Sequence, residues 1–96
     1  MKMLMIVYNE ALDDEVMELL ERIEAKGYTK IPQAFGRGET SGAHLGTDIW
    51  PGLNNILYVA CQDSQSEELL IKVKGLREKS GREGVKAFIF PLEEIT

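Results

Sequence analysis

Basic charge is in short supply in this chain. Eleven Lys and Arg against sixteen Asp and Glu leave a net charge of −5 over 96 residues. The basic residues are also spread out, whereas a nucleic-acid binder normally presents a basic face. That argues against nucleic acid as a partner. It does not exclude a small anion, because glycine-rich loops bind phosphate through backbone N–H groups. With a single cysteine, Cys61, there is no intrachain disulfide and no CxxC zinc or redox pattern. The first apolar run, Met3 to Tyr8, is too short for a signal peptide or a membrane span, and acidic residues follow it. No direct membrane insertion is expected, and the chain reads as cytoplasmic. Walker loops, dinucleotide fingerprints and Ser-His-Asp arrangements are also missing.

What is present is a small scaffold around one long loop. Phe35 to Asn54 holds five of the nine glycines, the only histidine and the only tryptophan, and keeps no helical or strand period. Compact domains rarely carry a structureless connection of about 20 residues unless it is functional or disordered. Phe35, Leu45, Ile49, Trp50 and Leu53 give this one something to bury, which favours a working loop.

Met1 to Tyr8 is an apolar run of strand length, with Met3, Met5 and Val7 on one side and Leu4, Ile6 and Tyr8 on the other. Asn55 to Cys61 is a second such run. Apolar on both faces, each reads as a central strand. Between them, Leu12, Val16, Leu19, Leu20 and Ile23 recur at helical spacing, with Glu18, Glu21, Arg22 and Lys26 on the wet side. Asp13 is the expected N-cap, Leu12 is placed to staple onto Met17, and Gly27 is the expected C′ residue. Tyr28 to Phe35 looks extended, but Pro32 demotes it to an edge strand or a bulge. The second helix opens at Asp63 to Glu67, where Ser64 and Glu67 match a capping box. Leu69, Leu70, Val73 and Leu76 form its stripe, and Gly75 inside it predicts a close neighbour. Val85 to Pro91 is the last strand.

The order is β-α-β-β-α-β, so the chain reads as one α+β domain over residues 1–96 with a ferredoxin-like βαββαβ arrangement. Two helices cover one face of the antiparallel sheet. The other face is also apolar and too large to leave in water, so several chains are expected to pack these faces together.

The chemistry-bearing residues are few. His44 has no second histidine or cysteine at ligand spacing; it is either an ordinary loop histidine or part of a metal site with Glu39 or Asp48 across subunits. Cys61 ends a strand and reads as an apolar filler. Asp13 with Asp14 and Glu93 with Glu94 read as caps and solvated tail. Two loops combine glycines with cations, Gly36-Arg37-Gly38 after the second strand and Gly81-Arg82-Glu83-Gly84-Val85-Lys86 before the fourth. Either they serve turn geometry alone, or neighbouring chains bring them together around an anion. Trp50-Pro51-Gly52 reads as a latch for the long loop or an aromatic surface for a partner.

These residues together resemble the PII (nitrogen-regulatory-like) signalling superfamily. The resemblance is carried by Leu12-Asp13-Asp14, Gly27-Tyr28-Thr29, Phe35-Gly36-Arg37, Ser80-Gly81-Arg82 and the run from Lys86 to Glu94. It implies a homotrimer without enzymatic activity that binds ATP, ADP or AMP in clefts between subunits. It also implies that the long loop engages a protein such as a membrane transporter or an enzyme. The implied ligand residues are Thr29, Gly36, Arg37, Gly81, Arg82, Gly84 and Lys86, with Gly38 where the family usually has glutamine. His44, Asp48 and Trp50 fall in the implied partner loop. This chain departs from the pattern in a glycine loop one residue short without Gly-Asp-Gly, and in a shorter long loop without tyrosine. It also ends at Thr96, before the family's basic tail. The alternative is a CutA-like trimer that binds metal through His44. An acylphosphatase-like enzyme using Arg37 lacks the early arginine loop that chemistry needs.

Overall fold

The computed structural model describes residues 1–36, 53–80 and 84–96. Strands β1 (Lys2–Asn9), β2 (Thr29–Ala34), β3 (Asn54–Cys61) and β4 (Val85–Pro91) form one antiparallel sheet in the order β2-β3-β1-β4. Helix α1 (Asp13–Arg22) follows β1, and α2 (Asp63–Ser80) follows β3. This is the ferredoxin-like arrangement, with the two apolar runs at the centre and the proline-bearing strand at an edge.

Register explains the core. Leu4 pairs with Val59, Ile6 with Leu57 and Tyr8 with Asn55, and on the other side Ile6 with Ala87 and Tyr8 with Val85. Residues directly opposite share a face. Apart from the partly buried Ala87, this set is buried together with Val16, Leu20 and Ile23 of the first helical segment and Leu69 and Val73 of α2. Each Leu, Ile or Val among them contributes about 1.5–3 kcal/mol on burial. Leu12 and Met17 are partly buried against this core, but Leu12 itself is the N-cap position of α1, so the expected staple frame of Leu12 before an Asp13 cap is not the one found.

The second face carries Met3, Met5, Val7, Ile31, Ile56, Tyr58, Phe88 and Phe90 in register. Among the described residues no helix covers it, and Ile31, Tyr58, Phe88 and Phe90 are 36–45% exposed. In β2 the register shifts between Ile31 and Ala34, around Pro32 and Gln33, and Gln33 takes φ of 60°. Proline cannot donate to the ladder, so the chain bulges there.

The helix ends differ from expectation. A 3-10 turn, Glu10–Leu12, precedes α1, and the N-cap position of α1 is Leu12, without a side-chain cap. Asn9 caps the 3-10 turn instead, its Oδ1 accepting from the Ala11 N–H at 2.9 Å. Asp13 is no cap because its carboxylate has stronger partners, described below. At the other end, Glu24 rather than Gly27 takes the left-handed conformation, with φ of 60°. The Glu24 N–H donates to Glu21 O (3.0 Å) and the Ala25 N–H to Leu20 O (3.1 Å), the pair of bonds that defines a Schellman motif. Ser64 and Glu67 do not form the capping box at α2. The Gln62 N–H donates to Oε1 of Gln65 at 2.9 Å, and the Gln65 amide donates to Ile23 O at 3.1 Å. One glutamine thus joins the start of α2 to the end of α1. Gly75 has nothing within 4 Å of where a Cβ would sit, so no close neighbour explains it. Phe35 is 86% exposed rather than buried.

Candidate ligand and loop site

Both glycine-bearing loops open at one end of the sheet, because the antiparallel register brings the end of β1 beside the starts of β3 and β4. Asn9 pairs with Asn54, and Ala34 also pairs with Asn54. Beyond the strands, the Asn9 N–H donates to Gly84 O at 2.8 Å and the Glu10 N–H to Leu53 O at 3.1 Å. A Cβ at Gly36 would lie 3.0 Å from Nδ2 of Asn54, so glycine permits the close approach at the base of the long loop.

Four of the expected ligand residues are among the described ones, Gly36 and Gly84 at this end of the sheet, Lys86 close to it and Thr29 at the far end of β2. Thr29 is exposed on β2 opposite Tyr58, and Lys86 is exposed on β4 opposite Val7, its Nζ 5.5 Å from the centre of the Phe88 ring. Both belong to the helix-free face. Gly36 ends the described part of β2's loop, and Gly84 accepts the Asn9 bond. Thr29 and Lys86 stand on opposite edges, three strand spacings or about 14 Å apart across the sheet and further offset along it, level with Met5 and Val7 of β1. One small ligand cannot touch both within a single chain. Arg37, Gly38, Gly81 and Arg82 lie outside the described residues, as do Glu39, His44, Asp48 and Trp50.

Sequence reasoning passed over a polar cluster at this same end. The Tyr8 hydroxyl donates to Oδ1 of Asp13 at 2.6 Å, and Nζ of Lys30 lies 2.8 and 3.1 Å from the two oxygens. The Asn55 amide reaches Asp13 at 3.3 Å. Tyr8 and Asn55 are buried, at the end of β1 and near the start of β3. The Lys30 ammonium, then the Tyr8 hydroxyl, hold the Asp13 carboxyl below the usual carboxylate range. Burial first and the Asp13 carboxylate second push the Tyr8 hydroxyl well above the usual tyrosine value, so Tyr8 remains a neutral donor. A signal for this cluster was available. Tyr8 and Asn55 are the polar members of two otherwise apolar core-facing rows, Leu4-Ile6-Tyr8 and Asn55-Leu57-Val59.

Cys61 is buried, and desolvation followed by the Asp63 carboxylate raises its thiol pKa, which suits a filler rather than a nucleophile. Among the described residues no group of three His, Cys, Asp or Glu side chains could hold a metal ion, and no helix is long and apolar enough to cross a membrane.

The family profile described as Nitrogen regulatory protein P-II matches residues 1–96. The chain belongs to this family. Among solved structures it is similar to a PII-like signalling protein from Thermus thermophilus, at 25% identity and a TM-score of 0.68, covering 93% of this chain and 82% of that one. It is also similar to CPII from Thiomonas intermedia bound to ADP, AMP and acetate, at 20% identity and a TM-score of 0.73, covering 92% and 81%. The same protein bound to ADP, AMP and bicarbonate gives 23% identity and a TM-score of 0.72, covering 93% and 82%. At those identities the CPII likeness speaks to the fold alone. No curated protein matches the chain.

Proposed function

We propose that this PII-family protein is a non-enzymatic trimeric regulator. It binds an adenine nucleotide between subunits and relays the bound state to a partner protein, such as a membrane transporter, through the 36–54 loop. The observation that carries this reading is the helix-free face, where Thr29 and Lys86 stand on opposite edges of an apolar surface. Packing such faces together buries the exposed Tyr58, Phe88 and Phe90 and sets one chain's β2 edge near the next chain's β4 edge. Lys86 then offers a cation, and Gly36 and Gly84 offer backbone donors, to one anion. Arg37, Gly38, Gly81 and Arg82 complete the proposed ligand set, with His44, Asp48 and Trp50 in the partner loop. ADP and AMP bound to the structurally similar CPII support a nucleotide ligand.

Calorimetric titration with ATP, ADP, AMP, cyclic nucleotides and bicarbonate tests it, on material whose mass in solution is three times the 10.8 kDa of the chain. Binding of at least one nucleotide, weakened in Lys86→Ala, is the expected result. Absence of heat with every nucleotide from the folded assembly would sink the nucleotide reading.

A further inference from the structure

We propose that Asn9 and Glu10 are positioning residues that couple the two glycine-bearing loops, a step that rests on the reading that both loops serve one ligand. They are consecutive, and their N–H groups point to opposite neighbours, as successive strand amides do. One holds the Gly84 carbonyl, the last position of the short loop, at 2.8 Å. The next holds the Leu53 carbonyl, where the long loop returns to β3, at 3.1 Å. A displacement of Gly84 therefore pulls on Asn9, and Asn9 carries Glu10 and Leu53 with it.

The segment is stiff enough to transmit such a pull. Its own turn is closed by Asn9 Oδ1 and the Ala11 N–H. Its two ends, Tyr8 and Asp13, are joined to each other at 2.6 Å, and Asp13 is tied to Lys30 on β2. A spring fixed at both ends passes movement on, whereas a loose turn would absorb it.

Glu10→Pro deletes the N–H together with the side-chain carboxylate. Asn9 already sits at φ −65° and ψ 139°, the extended region that a residue before proline prefers. Glu10 opens the 3-10 turn, a position that suits the fixed φ of proline. Glu10→Ala is the control, since it removes the carboxylate and keeps the N–H. The short loop is perturbed by Gly84→Ala, and the readout is the backbone amide NMR shift of Leu53 and Asn54. A merely structural role would alter the unfolding midpoint without altering how far that perturbation travels.

Gly84→Ala is expected to shift both amides in the Glu10→Ala background, and the shift should fall about threefold or more in Glu10→Pro. Asn9→Ala, which opens the turn without touching either loop bond, should reduce it about twofold and stands in if Glu10→Pro does not fold. Undiminished shifts in the folded variants overturn the proposal. These measurements contain no nucleotide. A failure to bind ADP in calorimetry therefore counts against the ligand reading, and intact shifts count against the coupling.

Discussion

The two faces of the sheet are built from similar residues and come to opposite ends. The face under α1 and α2 closes over Leu4, Ile6, Leu57 and Val59, all with no exposed surface. The opposite face presents Met3, Met5, Val7, Tyr58, Phe88 and Phe90, only partly covered by their neighbours. On the proposed assembly, local stability and subunit packing are written on alternate residues of the same strands, so substitutions one position apart should fail in different ways.

The largest expected effect is on the closed face. Leu57→Ala leaves a cavity beside its pair partner Ile6 in the buried cluster, where close packing limits collapse. A loss of about 2–5 kcal/mol in urea unfolding is expected. Tyr58→Glu, the next residue, should leave the chain folded by circular dichroism and halve or abolish assembly in light scattering, since a carboxylate cannot enter a dry interface unpaired. If Tyr58→Glu unfolds the chain while Leu57→Ala does not, the division between the faces is wrong.

The polar cluster is the exception inside the closed face, where charge rather than apolar area holds the elements together. Asp13→Ala leaves the buried Tyr8 hydroxyl without its acceptor and should cost about 1–2 kcal/mol. The pH dependence has a definite sign. The folded carboxyl is held below its unfolded value of about 3.9, so its contribution is present above that pH and is lost as pH falls through the folded value. The acid limb of the unfolding midpoint should therefore be flatter in Asp13→Asn than in the unaltered chain. An unchanged limb would mean that Lys30 and Asp13 do not pair in solution.

How much of this could be read from the residues depended on range. Central strands were legible because an apolar run on both faces needs no knowledge of its neighbours. The edge strand was legible because Pro32 lacks a donor wherever it sits. The caps were not. Asp13 has the right residue type at the right spacing, but Lys30 comes from 17 positions away and takes its carboxylate. Gly27 follows a plausible helix end, yet the Schellman bonds close at Glu24 because the last apolar residue of the stripe, Ile23, is already in the core. The candidate site was legible in part. Thr29 and Lys86 do share a face, but the juxtaposition of Gly84, Asn9, Glu10 and Leu53 exists only once the register is known.

The smallest effects belong to the outer surface of the helices, where neither face is involved. Gly75 lies inside α2 with open space at its Cβ position, so Gly75→Ala should stabilise by about 1 kcal/mol through helix propensity alone. Glu24→Gly removes the left-handed strain at the end of α1 and should add about 0.5 kcal/mol. Both gains must reappear undiminished in the Tyr58→Glu background, because distant sites add. A gain at Gly75 that vanishes on dissociation would place α2 in contact with another subunit. The helical layer would then belong to the assembly as much as the open face does.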